Sequence, residues 1–583
     1  MMATQRQAAL RGGHMITTRN LLLVLAAILA GFVLYFLLSN DPGGDPAETG
    51  TTRAVASTSY ADLVSLFGEF RSFQQAGAGN IQAYSQSGWI LSNLDTAPDF
   101  SADAMAEKYS ELGTFQERLE SIDPASWTIP EQVDYHLVRA EMNGYEFQHR
   151  VLSPWSTDPG FYNDVIATFA WVAEPPLQGD EVADLQSRLR SVPDLVQQAK
   201  ENLNDFSLIA ADLATLAVLS IGDTRSAYGS LAEGLRIHHP ELVADVGPAL
   251  LAIDDYEDWI RSNEHRMTGT TGVGKDNYNW LLRNVYLFPY TWDDIRTIVE
   301  LEDNRVITFQ RLEENRNRDV PPLIPVGSQV EYREGIEEAV GHVMDFLRDE
   351  EIFTVHDFLV PDDYFDSRLF GKGYSLEDPW PETHDYFFNF SHREAVMENT
   401  HELVGHHFDM LRAERDDRPI RGGERAYKIS TARDEGLAFA LEELLMHAGY
   451  LDGRNPHGRE VTYEQAAFRT VRALSDIYMH SGDWSLAEAT RFCIDNAPHG
   501  ELLEGSHHLW FELDTTLRGV GHHMLMVLGK VQFMKLMRDR ANQLGDDFVL
   551  REFLDEVYAA GQIPWSLIRW EMTGYDDEVS QLW

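Results

Sequence analysis

Residues 292–316 read WDDIRTIVELEDNRVITFQRLEENR. Trp292, Ile295 and Val299 recur at three- and four-residue spacing, with acids and arginines between them. That period is helical. The same pattern returns over 181–203, with an interruption expected at Pro193, and over 208–219, 332–349 and 463–479. Long alternating patterns are scarce, and proline breaks such as Glu174-Pro175-Pro176-Leu177 and Pro321-Pro322 punctuate the helices. The chain therefore reads as mainly α, with at most a short β element near 386–390. No internal repeat occurs, and a boundary near residue 345 is compatible with the pattern but not required by it.

The 583 residues include 13 Trp, 29 Phe and 22 Tyr, which argues for a packed core over most of the length. Lys and Arg total 47 against 94 Asp and Glu, a formal net charge of −47. Such a surface repels phosphates, so no nucleic-acid partner is expected. The one cysteine, Cys493, rules out an intrachain disulfide and a Cys-rich zinc ribbon. Its apolar helical setting reads as a buried small side chain rather than a nucleophile.

Residues 21–38 read LLLVLAAILAGFVLYFLL without a charge. As a helix this segment is about 27 Å long, close to the hydrocarbon thickness of a bilayer. Arg6, Arg11 and Arg19 precede it, and no acid stands before Asp41. Residues 1–20 then remain in the cytoplasm, 21–38 act as a transmembrane signal anchor, and the rest is exported to the periplasmic side. A cleavable signal peptide is the alternative, but its apolar region is normally shorter. No Cys follows closely, which excludes a lipid-modified anchor at this point. Residues 39–57 are rich in Gly, Pro, Ser and Thr and read as a flexible linker. Residues 58–583 are then the exported helical domain.

The chemistry concentrates in Thr400-His401-Glu402-Leu403-Val404-Gly405-His406-His407. Imidazole is a preferred neutral ligand of zinc, and a catalytic site takes three protein ligands and keeps one position open. A Glu directly after the first His stands where it can take a proton from water. Asn399 or Thr400 is the expected helix cap. His401 and His406 are five apart, about 140° around an ideal helix. They meet at one ion only if the helix is distorted, and Gly405 marks the expected place. A second helix pattern, DEGLAFALEE, begins at Asp434. Glu435 and Glu442, seven apart, share one face, and small Gly436 and Ala438 allow another helix to come close. One carboxylate there can complete a metal site and a further one can orient a ligating His.

Together these segments resemble the domain of unknown function 885 family of bacterial proteins, whose members look like zinc metallopeptidases. The likeness continues through Asp476, His480 and Trp484 in SDIYMHSGDWSLAEA, Gly521 and Gly529 in VGHHMLMVLGK, and LGDDFVLREFLDEVYAAGQIP. Upstream, GKDNYNWLLRNVYLFPYTWDDI is also similar, so the resemblance spans roughly residues 270 to 570. It implies a large helical metallopeptidase-like fold. By position, His401, Glu402, Glu435 and Glu442 match the family's first His ligand, general base, ligand Glu and second acid. The family's Pro before the Gly is missing here, so the second His ligand falls on His406 or His407. His406 is preferred, because the five-residue spacing is similar to the motif of dipeptidyl peptidase III.

The resemblance implies zinc-dependent hydrolysis of peptides outside the cytoplasm. Zinc would sit on His401, His406 and Glu435, with Glu402 as base and Glu442, and also Asp476, behind the ligands. Other positions depart from the family. Its second-helix Trp and Tyr are Leu437 and Ala440, and its later Tyr-Lys pair falls on Met526 and Val527. An oxyanion donor must then come from elsewhere, with His480, His522 and His523 as candidates. The alternatives are a non-catalytic metal-binding or peptide-binding envelope protein and a zinc hydrolase of another amide, such as a cell-wall amide. No Gly-x-Ser-x-Gly elbow supports serine catalysis.

Overall fold

Thr291 opens one of the longest helices with a capping box: its backbone N–H and hydroxyl both donate to Asp294, whose own N–H returns to the hydroxyl. A computed structural model describes residues 59–75, 99–170, 176–361, 364, 393–422 and 429–583. Among them no strand forms, and the fold is mainly α. The expected β element at 386–390, the anchor at 21–38 and the linker at 39–57 lie outside the described residues. Among the described residues, no helix is long and apolar enough to cross a membrane.

The chain runs through α1 Tyr60–Gln75, α2 Ala102–Glu120, α3 Ile129–Phe147, α4 Pro159–Thr168, α5 Asp180–Asn202, α6 Ala211–His238 and α7 Val243–Asn263. It continues with α8 Gly274–Asn284, α9 Trp292–Asn317, α10 Gln329–Asp349, α11 Ala395–Asn399, α12 Phe408–Ala413, α13 Thr431–His447 and α14 His457–Ser481. It closes with α15 Leu486–Asn496, α16 His507–Arg518, α17 His522–Leu544, α18 Leu550–Ala560 and α19 Trp565–Thr573. A π-helical segment, Thr400–His407, joins α11 to α12. Residues 56–583 cluster as one unit, and α10 shares the core of α13, so no division falls near 345.

Two helices differ from the sequence pattern. α5 passes through Pro193 without interruption. Val192, Leu195 and Val196 on either side are buried with Ile253 and Tyr256 of α7, and that burial outweighs the hydrogen bond proline removes. α6 runs far beyond 219, because Ile221, Tyr228, Leu231 and Leu235 keep facing the same apolar cluster.

The site rests on a layer in which α13 packs between the π-helical segment and α17, while α14 lies against α9 and α17. Glycine makes the α13–α17 approach possible. A Cβ on Gly436 would stand 2.4 Å from Gly529 Cα, and one on Gly529 only 1.8 Å from the Ala432 carbonyl oxygen. An ionic cluster crosses the same layer. Lys530, fully buried, reaches Glu302 at 2.9 Å and Glu443 at 2.6 Å, and Arg305 bonds both carboxylates. Burial works against the charge on Glu443, but the hydrogen bond from Arg305 and the Lys530 charge overcome it and hold its pKa down at about 2.

Two expectations follow. Gly529→Ala lowers stability by about 3 kcal/mol in denaturant unfolding, since backbone stands where the methyl must go. Because Glu443 titrates lower folded than unfolded, its contribution is complete above its ordinary range and fades as pH falls toward 2. The stability gap between wild type and Glu443→Gln therefore narrows across that window; a pH-independent gap contradicts the assignment.

Candidate metal centre

α11, the π-helical segment and α12 form one continuous helix over 395–413, so neither Asn399 nor Thr400 caps it. Instead the Asn399 amide and the Thr400 hydroxyl donate to the carbonyls of Ala395 and Val396 one turn earlier. The expected distortion is present and spans the whole motif. In a π-helix each N–H bonds five residues back, as Phe408 does to Leu403, so residues five apart stack on one face. His401 and His406 are therefore brought together: their Nε2 atoms lie 3.0 Å apart and their rings cross at 78°.

Gly405 has a different part from the one its motif position suggests. A Cβ there would meet Ala438 Cβ at 2.4 Å, so the glycine lets the π-helical segment press on α13. Arg433, fully buried at the start of α13, forks onto Asp409 of α12 and fixes the two in register. Glu435, one turn into α13, then places Oε2 3.7 Å from Nε2 of both His401 and His406.

Separations of 3.0, 3.7 and 3.7 Å bracket the edge of about 3.3 Å that a tetrahedron of ligands at zinc distance requires. This is the one group of three or more His, Cys, Asp or Glu donors that converges within 4.8 Å among the described residues. His406 and Glu435 are partly exposed and His401 is nearly buried, so the trio opens to solvent on one side. Burial opposes charge on His406, but Glu435, Glu402 and Asp434 raise its pKa to about 9. Burial likewise opposes charge on Glu435, and the two imidazoles hold it well below the usual carboxylate range. The donor set and its field both fit a cation.

Behind the trio, His401 Nδ1 lies 2.8 Å from Glu442 Oε1. With its hydrogen there, Nδ1 donates to Glu442 and Nε2 presents its lone pair to the site. Glu442 is fully buried and receives both Nη atoms of Arg469 of α14, at 2.7 and 3.2 Å. The sequence reading passed over Arg469. One arginine in a helix of core periodicity carries no spacing signal for such a role.

His407 leaves the cluster, with Nε2 3.1 Å from the Val360 carbonyl oxygen and its ring beside Tyr364. The candidate oxyanion donors separate as well. His480 is fully buried and donates Nε2–H to the Thr516 carbonyl. His523 is buried with Nδ1 at 3.0 Å from the Thr516 hydroxyl and Nε2 at 3.4 Å from Glu512, so both nitrogens are committed. His522 is half-buried at the start of α17. Asp476 does not stand behind a ligand. It accepts the backbone N–H groups of Gly521, His523 and Met524 and the Tyr278 hydroxyl, closing the N-terminus of α17. Leu437, Ala440, Met526 and Val527 are core residues, and Cys493 is a buried thiol, pushed by burial to a pKa of about 11.

On this geometry His406→Ala abolishes high-affinity zinc binding, whereas His407→Ala keeps it while losing stability. Equilibrium dialysis with metal analysis reads the difference, and the reverse pattern would exchange the two roles.

A family model described as "Bacterial protein of unknown function (DUF885)" matches residues 378–572, a span that contains the whole trio and Glu442. The upstream segment 274–295 lies outside that match. Nothing among the curated proteins matches the chain. A "putative lipoprotein of unknown function" from Shewanella oneidensis is similar in structure, with a TM-score of 0.64 and 15% identity over 88% of this chain and 100% of the other. A "putative lipoprotein" from Colwellia psychrerythraea has a TM-score of 0.67 and 15% identity over 89% and 99%. At that identity the likeness is one of fold, and over residues 378–572 the chain is similar to a bacterial family of unknown function.

Proposed function

We propose that this protein is a zinc-dependent hydrolase of peptide bonds acting outside the cytoplasm. The convergence of His401, His406 and Glu435, with Glu402 on the same π-helical segment, carries the proposal. A zinc ion on these three residues would supply Lewis-acid polarisation of a substrate carbonyl and acidify a water.

The chain's own groups do the rest. Glu442 fixes the His401 ring and the position of its hydrogen. Glu402 is half-buried on the same segment, and its charge is among those that raise the His406 pKa, which supports its reading as the base. It takes a proton from the attacking water and hands it to the departing amine. The uncharged segment at 21–38 and the description of both structural relatives as lipoproteins support an envelope location. The segment tethers the enzyme to the membrane as a single-pass anchor.

One observation favours a second reading, a metal-binding protein that does not hydrolyse peptides. Two of the three histidines able to donate to an oxyanion have their ring nitrogens committed or buried, and Met526 and Val527 supply no donor. Glu402→Gln separates the readings on the full chain in detergent, assayed with a mixed peptide library. Hydrolysis predicts wild-type cleavage and a loss of 100-fold or more in the variant, on the order of a missing general base, with zinc content unchanged. Stoichiometric zinc without cleavage of any peptide selects the second reading or another amide substrate.

A further inference from the structure

Resting on the metal reading of His401, His406 and Glu435, we infer that Arg469 is a positioning residue of that centre, setting its affinity through Glu442. Glu442 is fully buried, and a carboxylate there is held by what surrounds it. Arg469 is 95% buried itself, with relative exposure of 5%. Both its Nη atoms reach Glu442, Nη1 also lies 3.4 Å from Gln465 Oε1, and its guanidinium sits 4.8 Å from the Phe439 ring centre. The arginine is thus held by three neighbours, Glu442, Gln465 and Phe439.

The contact with His401 distinguishes this from an ordinary helix-to-helix ion pair. Arg469 Nη2 stands 3.1 Å from His401 Nδ1, the same nitrogen that faces Glu442 Oε1 at 2.8 Å. A guanidinium only donates. If Nδ1 carries the hydrogen, it donates to Glu442 and Nε2 is free to ligate. If the hydrogen moves to Nε2, Nδ1 accepts from Arg469 and Nε2–H points at His406, 3.0 Å away. By forking onto Glu442, Arg469 keeps the carboxylate aimed at Nδ1, where an anionic acceptor at 2.8 Å competes for the hydrogen against the longer 3.1 Å contact with the guanidinium, and this favours the ligating form. Without Arg469, Glu442 would be a buried charge held only through its contact with His401.

The test is a double-mutant cycle on zinc affinity, read by competition of the full chain against a chromophoric chelator, with thermal unfolding followed in parallel. Arg469→Ala is expected to weaken zinc binding 10- to 100-fold, the range for loss of a group that orients a ligand. In a Glu442→Ala background the same change is expected to add nothing, because its effect is transmitted by that carboxylate. Arg469→Lys keeps the charge without the fork and is expected to fall between wild type and Arg469→Ala. It also decides the matter should Arg469→Ala not fold. Wild-type zinc affinity in a folded Arg469 variant, or equal losses in the two backgrounds, overturns the inference while leaving the metal site standing. Failure of the wild type to bind zinc overturns both.

Discussion

The site depends on one backbone constraint, a helix that takes five residues rather than four to return to the same face. His401 and His406 cannot converge on a regular α-helix, and every other feature of the centre is arranged around the segment that lets them. A π-helical stretch is intrinsically unfavourable, so it must be held from outside. Gly405 against Ala438 supplies close packing on one side, and the Arg433–Asp409 fork supplies register. α13 is in turn seated on α17 through Gly436 and Gly529. Three glycines and two fully or nearly fully buried charges thus define the geometry of three donor atoms.

Charge is handled in the interior with the same economy of partners. The chain carries 94 acidic residues against 47 basic ones, yet Glu442, Glu443 and Glu302, buried near the site, are all paired with cations. Arg469 serves Glu442, while Lys530 and Arg305 serve Glu443 and Glu302. Glu435 differs, since its neighbours are the two imidazoles with which it shares the opening to solvent. A carboxylate that lacks an arginine and faces two histidines is the one a metal ion would complete, which is why the position stands out from the acidic background.

Much of this was legible in the sequence for a physical reason. Periodicity of apolar residues marked the helices because burial of one face sets both, and 292–316 matches α9 to within one residue. The trio was legible because few residue types can serve as metal ligands, so two His and a Glu at these positions stand out as candidates. The spacing of five even implied the distortion. What escaped notice depends on contacts between distant segments. Pro193 is tolerated because α7 covers its helix, Gly405 answers to Ala438, and Asp476 caps α17 rather than a ligand. The choice between His406 and His407 is likewise tertiary: it turns on the Val360 carbonyl, 47 residues upstream, which takes His407 out of the cluster.

The most direct test of the central claim is anomalous scattering at the zinc edge from crystals of the zinc-loaded protein. The account predicts one strong peak about 2.0–2.2 Å from His401 Nε2, His406 Nε2 and a Glu435 carboxylate oxygen. A peak at any other set of residues, or no peak at this one in crystals soaked with excess zinc, would contradict it.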